Sequence, residues 1–293
     1  IMDIVIVGLG EILWDIFPDQ RVLGGAPANF AYHVSQFGYS GYAVSAVGND
    51  NFGNDILELC NRKGLKHLIE ITPYPTGTVD VTLDSEGIPQ YEIIQNVAWD
   101  NIPFTDKTKE LARKTKAVSF GSLAQRSHTT EDTINKFLDT MPADSLKIFD
   151  INLRQHYYSK EILHNSLNKA NILKINEDEI IIVSALFGID IDEQSACLWL
   201  INNYNLDMLI LTKGINGSFI FTCNEVSFLP TPKVQVVDTV GAGDAFTAAF
   251  VASHLYGNPV SESHRFAVDV SAYVCTQQGA MPELPEYLTN LDF

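Results

Sequence analysis

Short apolar runs alternate with amphipathic stretches along most of this chain. The apolar runs are typical of buried strands and occur in DIVIVGLG, YAVSAVG, AVSFG, LKIFDIN, NILKIN and DMLILTKG. Between them lie stretches such as PANFAYHVSQFG and NFGNDILELCNRKG, in which apolar residues recur at helical spacing. Strands that are apolar throughout and alternate with helices predict a parallel sheet covered by helices on both faces.

Two segments interrupt this alternation. Residues 14–26 and 74–98 carry alternating apolar and polar residues, the pattern of strands with one face exposed, and the DSEG sequence at 84–87 predicts a turn. We expect an antiparallel hairpin and a partner strand that project from the main sheet. Because a few such strands are rarely stable alone, they should cover a ligand cleft, a second subunit, or both.

Composition and charge narrow the class of protein. The chain has 293 residues, of which 46% are hydrophobic and 19% charged, as in an ordinary globular protein of one large α/β domain or two smaller ones. No apolar run reaches the ~18 residues that a membrane span needs, and the N-terminus resembles a first strand rather than a signal peptide. The net charge of −17 counts against a nucleic-acid partner but leaves room for a small phosphorylated ligand.

The cysteines indicate the redox compartment. All four lie far apart in the sequence, without a CxxC pair or a histidine at metal-ligand spacing, at positions Cys60, Cys197, Cys223 and Cys275. We therefore expect reduced, mostly packed thiols and a cytoplasmic location.

The segment DTVGAGDAF, residues 238–246, is the first candidate for chemistry. Gly241, Ala242 and Gly243 bare the backbone just before a helical pattern, where free N–H groups and the helix dipole favour an anion. Asp244, in the first helical turn, could accept a proton from an attacking hydroxyl. The alternative is an acidic residue that serves only the helix dipole, preceded by glycines that allow close packing. These nine residues alone leave both interpretations open.

A second motif lies near the N-terminus, in GGAPANFA. Gly24, Gly25, Asn29, Gly38 and Gly48 match the first signature of the PfkB, or ribokinase-like, carbohydrate kinases, and residues 238–244 match the second signature, Asp-Thr-x-Gly-Ala-Gly-Asp. The chain resembles this family from Ile4 to about Pro282. The resemblance implies one α/β domain over residues 1–293, a three-layer α/β/α sandwich with a mainly parallel central sheet. Segments 14–26 and 74–98 would form a small β-sheet lid inserted in it.

The resemblance also implies roles for individual residues. Asp244 resembles the catalytic base, and the anion hole would consist of Gly241, Ala242 and Gly243. Asp15, Gly25 and Asn29 lie where family members bind sugar hydroxyls. The nucleotide, its phosphates and Mg²⁺ would be held by Asn176, by Glu179 through water, and by Gly243 with the Thr212, Gly214 and Gly217 loop. Many relatives bind a monovalent cation at positions that correspond to Asp238, the carbonyl of Val240 and the loop around Gly279.

The DINLR segment bears on the acceptor. It resembles a segment of fructokinases and 2-keto-3-deoxygluconate kinases in which Asn152 and Arg154 would approach sugar or phosphate, and a guanidinium can bind a carboxylate or phosphate through two hydrogen bonds. Arg154 could equally be a surface arginine that follows a strand.

Several of these residues could also have a purely structural role. Asp15 could cap a turn, Asn176 and Glu179 could cap a helix, and Thr212 with Gly214 could form a strand-ending turn. We interpret Asp50 and Gly53 as turn and helix-start residues, and His33 and His128 as structural.

The prediction from the whole chain is a sugar kinase. It would transfer the γ-phosphoryl group of ATP, with Mg²⁺, to a primary hydroxyl of a monosaccharide, with fructose favoured over ribose, 2-keto-3-deoxygluconate or a nucleoside. A catalytically silent sugar- or nucleotide-binding relative stays open, as do a K⁺ requirement and a homodimer through the lid. A dinucleotide oxidoreductase is disfavoured because GLGEIL, residues 8–13, lacks the third glycine of that fingerprint.

Overall fold

The computed structural model describes residues 4–83 and 89–292 of the chain. Its strands are β1 (Val5–Leu9), β2 (Leu13–Ile16), β3 (Arg21–Gly24), β4 (Ser40–Gly48), β5 (Lys66–Thr72), β6 (Gly77–Leu83), β7 (Pro89–Ile93), β8 (Thr115–Gly121), β9 (Leu146–Asp150), β10 (Ile172–Asn176), β11 (Met208–Thr212), β12 (Ser218–Thr222) and β13 (Val226–Leu229). Its α-helices are α1 (Ala26–Gln36), α2 (Asn51–Arg62), α3 (Asp106–Lys114), α4 (His128–Thr140), α5 (Lys160–Lys169), α6 (Glu177–Phe187), α7 (Glu193–Tyr204), α8 (Ala242–Tyr256) and α9 (Val260–Cys275). The predicted DSEG turn at 84–87 lies outside the described residues.

Within the described residues, a nine-stranded central sheet has the order β13-β12-β11-β10-β9-β8-β1-β4-β5. Every neighbouring pair from β11 to β5 is parallel, and β12 and β13 extend the sheet at one edge as antiparallel strands. Each predicted apolar run contains one of its strands, so the mainly parallel sheet is confirmed. The sequence did not single out β12 or the two edge strands, β5 and β13, all of which mix polar with apolar residues.

Helices cover both faces of this sheet. On one face, α1, α8 and α9 pack around a core that includes Ile6, Phe30 and Phe250. On the other face, α3 to α7 pack around a core that includes Val7 and Phe149. Ile6 and Val7 are neighbours on β1 that point to opposite faces, as the pleat of a strand requires. The three-layer α/β/α arrangement is therefore confirmed. None of the described helices is both long and apolar enough to cross a membrane.

A second sheet of four strands has the order β3-β2-β6-β7. It is built from two antiparallel hairpins, β2–β3 and β6–β7, which join through a parallel pair of β2 and β6. Its strands come from the two segments in which alternation predicted them. The parallel pair adds to the expected hairpin and partner strand. It forms because β2 follows β1 and β6 follows β5, and both chains leave the same edge of the central sheet.

The carboxyl ends of the parallel strands determine where a ligand can bind. Strands β1, β9, β10 and β11 all end at one edge, so Glu11, Asp150, Asn176 and Thr212 lie at or just beyond it. In open α/β sheets, ligands bind in the crevice outside these ends. The start of α8 and the small sheet meet the same edge.

Candidate active site

The start of α8 forms a seat for an anion. Gly241 precedes the helix with a φ of 76°, and a Cβ there would lie 2.6 Å from the Cβ of Ala280, so only glycine fits. The Ala242 N–H donates to the carbonyl of Thr239 at 3.3 Å, whereas the Gly243 N–H has no acceptor among the described residues. A free amide at the positive end of a helix of this length favours a negatively charged group.

Asp244 lies in the first turn of α8, next to that seat. The Asn29 amide Nδ2 donates to its Oδ2 at 2.8 Å, across 215 positions of sequence. Burial and the negative charge of Asp150 raise the pKa of Asp244 to about 7, against the lowering effects of the Asn29 hydrogen bond and of two cations, Lys174 and Arg154. A carboxylate that titrates near neutral pH suits a general base.

Lys174 supplies a positive charge that the sequence reasoning missed. Its Nζ lies 3.1 Å from Oδ1 of Asp150, and both side chains are buried. A Cβ placed on Gly243 would lie 3.4 Å from the same Nζ, so the ammonium lies directly beside the anion seat. Burial lowers the pKa of Lys174, but the carboxylates of Asp150, Glu179 and Asp244 outweigh it and raise the pKa, so the amine stays charged. The available signal was a lysine inside the apolar run NILKIN, since lysine is rarely buried without a partner.

Asn176 and Glu179 form a capping box at the start of α6. The Asn176 Oδ1 accepts from the Glu179 N–H at 2.8 Å, and the Glu179 Oε2 accepts from the Asn176 N–H at 2.9 Å. The second oxygen of Glu179, Oε1, accepts from the Leu153 N–H at 2.9 Å. The helix-capping role is therefore present in the geometry, and the role of these residues toward Mg²⁺ stays a prediction. Burial raises the pKa of Glu179, although Lys174 opposes it.

The glycine pair allows the small sheet and α1 to approach each other. A Cβ on Gly24 would lie 2.6 Å from Oδ2 of Asp15, which is on β2. Gly25 has a φ of 120°, and its Cβ would lie 2.5 Å from the carbonyl oxygen of Glu11. Asp15, Gly25 and Asn29, three of the five predicted sugar-binding residues, are therefore close in space. Burial raises the pKa of Asp15 to about 6, and the charge of Arg154 opposes the rise.

Two buried acceptors of this region lack a partner among the described residues. They are Oδ1 of Asn29 and Oε2 of Glu11. Burial raises the pKa of Glu11 to about 7, opposed by its own backbone N–H and by Arg154, while Asp244 and Asp150 raise it further. Sequence reasoning missed Glu11 because a single acidic residue after a strand carries no sign that it will be buried.

Arg154 is exposed, yet it is not an isolated surface residue. Its charge lowers the pKa of Glu11, Asp15 and Asp244, so its field acts on all three carboxyl groups. Asn152, which is partly buried, precedes it with a left-handed φ of 45°. Arg154 lies in the irregular segment after β9, at the carboxyl edge of the sheet.

The predicted nucleotide loop follows β11. Thr212 ends that strand in register with Asn176 of β10. Gly214 and Gly217 have φ values of 50° and 101°, and a Cβ on Gly217 would lie 2.5 Å from the carbonyl oxygen of Leu229. The loop is thus a tight turn that requires its second glycine, and its contact with a nucleotide stays a prediction.

The predicted cation residues are joined through one carboxylate. Asp238 accepts from the Val240 N–H through Oδ1 and from the Gly279 N–H through Oδ2, each at 3.0 Å. The structure therefore brings together two loops that are 41 positions apart in sequence. A cation at this place stays a prediction.

Three further residues match their structural interpretation. Asp50 caps α2 by accepting from the Gly53 N–H at 2.8 Å. His33 contacts the carbonyl oxygen of Ala280 at 2.9 Å, and burial lowers its pKa to about 4, so it is neutral at physiological pH. His128 begins α4, 3.7 Å from the carboxylate of Glu131.

Comparisons with known proteins identify the family and the fold. The family model for the pfkB family of carbohydrate kinases matches residues 18–286. An ATP-dependent 6-phosphofructokinase of Thermoanaerobacterium thermosaccharolyticum is 30% identical, over 91% of this chain and 83% of its own. Fructokinase-1 of Zea mays is 26% identical, over 96% and 94% of the two chains. The crystal structure of an uncharacterized sugar kinase from Pyrococcus horikoshii in complex with ATP has a TM-score of 0.81 at 27% identity, over 95% and 94%. Together with the layers and sheets described above, these similarities confirm the ribokinase-like fold class.

Proposed function

The chain belongs to the pfkB family of carbohydrate kinases and is a sugar phosphotransferase, and we propose that it transfers the γ-phosphoryl group of ATP to a primary hydroxyl of fructose. One observation carries the proposal. Asp244, with a pKa raised to about 7, follows Gly243, whose amide is free and lies beside the buried ammonium of Lys174. A base and an anion seat are therefore adjacent, as transfer to an alcohol requires.

The proposed mechanism assigns each group a task. The Asp244 carboxylate, oriented by Asn29, accepts the proton of the attacking hydroxyl. The Gly243 N–H and the Lys174 ammonium hold the charge that develops on the transferred group, and one preorganised donor of this kind is worth ~10²–10³ in rate. Gly241 keeps the helix start in the conformation that exposes these donors.

The donor set at the seat fits the phosphates of ATP. An amide without an acceptor and a buried ammonium match phosphoryl oxygens, and the relative from Pyrococcus horikoshii was crystallised with ATP. No three His, Cys, Asp or Glu side chains converge as a metal site in the part of the chain that the structure describes. We propose that Asn176 and, through water, Glu179 would help to hold a Mg²⁺ ion, which would supply positive charge to neutralise the phosphates.

The charges on the acceptor side support an uncharged sugar. Glu11, Asp15 and Asp244 face this region, and Arg154 is the cation whose charge reaches all three. An acceptor with its own phosphate or carboxylate would meet mostly negative groups. Fructose is therefore favoured over fructose 6-phosphate, the acceptor suggested by the phosphofructokinase relative, and over 2-keto-3-deoxygluconate. Ribose and nucleosides are the competing uncharged acceptors.

The finer assignments each rest on one feature of the chain. We propose that the chain acts as one domain in which the small sheet, β3-β2-β6-β7, is a lid over the sugar. The half-exposed Tyr91 on β7 suits pairing of two such lids in a homodimer. Asp238, with Val240 and Gly279, supports a K⁺ site. The four cysteines are free thiols, which suits the reducing cytoplasm.

An ADP-release assay across an acceptor panel tests the proposed function. The panel contains fructose, fructose 6-phosphate, ribose, 2-keto-3-deoxygluconate and a nucleoside, each with and without K⁺, and Asp244→Asn is the control for contaminating kinases. We expect the highest kcat/KM with fructose. If another compound of the panel has a higher kcat/KM than fructose, that compound is the acceptor instead. ADP release that the Asp244→Asn preparation matches would mean a catalytically silent relative.

A further inference from the structure

The segment between β9 and α5, residues 151–159, touches both halves of the candidate active site. At its start, the Leu153 N–H donates to Oε1 of Glu179 at 2.9 Å, and this same carboxylate caps α6 beside the predicted nucleotide site. Two positions further on, the Gln155 side chain donates to the carbonyl oxygen of Tyr91 on β7 at 2.6 Å. Arg154 lies between these two contacts. We call residues 151–159 the bridging loop.

A second contact ties the bridging loop to β7. The Tyr157 hydroxyl donates to the carbonyl oxygen of Ile93 at 3.3 Å, and the Arg126 guanidinium lies 4.6 Å from the centre of the Tyr157 ring. Arg126 also donates to the carbonyl oxygen of Ile94 at 2.6 Å and pairs with Asp100, and both charged side chains are only 6% exposed. Arg126 lies outside the small sheet, between β8 and α4, so its contacts fix the C-terminal end of β7. Gln155 contacts β7 nearer the middle of the strand.

The backbone of the bridging loop is strained on both sides of Arg154. Asn152 and Gln155 have left-handed φ values of 45° and 50°, a conformation that glutamine rarely adopts and asparagine adopts more readily. Such conformations persist only when surrounding contacts hold them. Here the Leu153 and Gln155 hydrogen bonds supply those contacts, so the direction of Arg154 depends on both of its neighbours.

We propose that the bridging loop couples the small sheet to the nucleotide site, with Gln155 as the positioning residue that transmits nucleotide binding to β7 and to Arg154. A change at the Glu179 carboxylate moves the Leu153 N–H, which is two residues from the bond between Gln155 and Tyr91. Nucleotide and acceptor binding then favour each other through the bridging loop, in addition to any contact between the two substrates. The sense of this coupling rests on the proposed kinase function, whereas the path through residues 153–155 rests on the hydrogen bonds alone.

Hydrogen–deuterium exchange tests the coupling without any sugar. Amide exchange is measured with and without a non-hydrolysable ATP analogue and Mg²⁺, for wild type and for Gln155→Asn. Asparagine adopts the left-handed conformation readily but is one methylene too short to reach Tyr91. In the wild type we expect the nucleotide to slow exchange in β6 and β7 about fivefold or more, the lower end of typical allosteric couplings. In Gln155→Asn we expect this slowing to vanish, while protection of the 212–217 loop persists.

A matched substitution controls for the loss of a glutamine as such. Gln194 is exposed on α7, and Gln194→Asn should behave like the wild type in every region. Equal slowing of β6 and β7 in wild type and Gln155→Asn overturns the proposal, and so does a wild-type protein whose β6 and β7 ignore the nucleotide. Because fructose is absent, failure of the fructose assay leaves this inference standing, and failure here leaves fructose phosphorylation standing.

A kinetic measurement separates positioning from folding. With the acceptor identified by the panel, Gln155→Asn should raise its KM about fivefold or more at saturating ATP, the same coupling factor as above, and leave kcat nearly unchanged. A variant that lowers kcat with an unchanged KM contradicts a role through Arg154.

Discussion

Replacing Asp244 by asparagine should lower kcat by orders of magnitude and stabilise the protein at the same time. The pKa of this carboxyl rises from 3.8 to about 7 on folding, first because of burial and then because of Asp150. A carboxyl whose pKa is higher in the folded than in the unfolded chain binds its proton more tightly when folded. This tighter proton binding contributes to the free energy of unfolding. The contribution is complete below pH ~4 and is lost as the pH rises to about 7.

The magnitude follows from the size of that rise. At ~1.4 kcal/mol per pH unit, the loss is at most about 4 kcal/mol, and solvent near the partly buried carboxylate reduces it. Asp244→Asn removes the charge and lets the Asn29 amide still donate to an oxygen. We expect the variant to be more stable than the wild type by about 1–4 kcal/mol at pH 8, and to match it near pH 4.

Urea unfolding at pH 4, 6 and 8, together with initial rates, checks this prediction. We expect kcat to fall by ~10²–10⁴, as is typical for loss of a general base. Asp132→Asn on α4 is the control, because it alters an exposed ion pair worth only about 0.5 kcal/mol. A variant that is less stable than the wild type at pH 8, or a stability difference independent of pH, would refute the reasoning. Near-normal turnover would remove Asp244 from the role of base.

Substitutions at Arg154, at the Asp150–Lys174 pair and at Gly241 test neighbouring parts of the site. Arg154→Ala should raise the acceptor KM about tenfold or more, since hydrogen bonds to charged groups contribute ~1.5–3 kcal/mol. Arg154→Lys should not restore the KM. Unchanged kinetics would show that Arg154 does not bind the acceptor. In pH profiles of kcat/KM, Asp150→Asn should move the acidic limb to lower pH, because it removes a negative charge near Asp244. Lys174→Met should move this limb to higher pH, because it removes a positive charge. Shifts of the same sign contradict the charge assignment. Gly241→Ala should lower the free energy of unfolding by ~2–4 kcal/mol, from the left-handed backbone and the contact with Ala280. Gly38→Ala, equally left-handed but without a neighbour within 4 Å, is the control and should cost only ~1 kcal/mol in urea unfolding.

The sequence by itself determined the features that depend on local pattern. Apolar runs separated by helical spacing predicted the parallel sheet, and alternation in residues 14–26 and 74–98 predicted the strands of the small sheet. Gly241 and Gly25 stood in motifs, and both prove to have backbone positions that only glycine fits. These properties are local, because they follow from the period of side-chain burial or from steric limits on one residue.

Only the tertiary structure decided which charges meet. Asn29 and Asp244 are 215 positions apart, and Lys174 meets Asp150 because β9 and β10 pair in register. The pKa of Glu11 is raised by its burial and, to a smaller extent, by the charge of Asp244. A pKa depends on the removal of water and on the distances between charges, and neither is written in spacing along the chain. The same holds for Gln155, whose partner on β7 is 64 positions away and is reached only once the two sheets have come together.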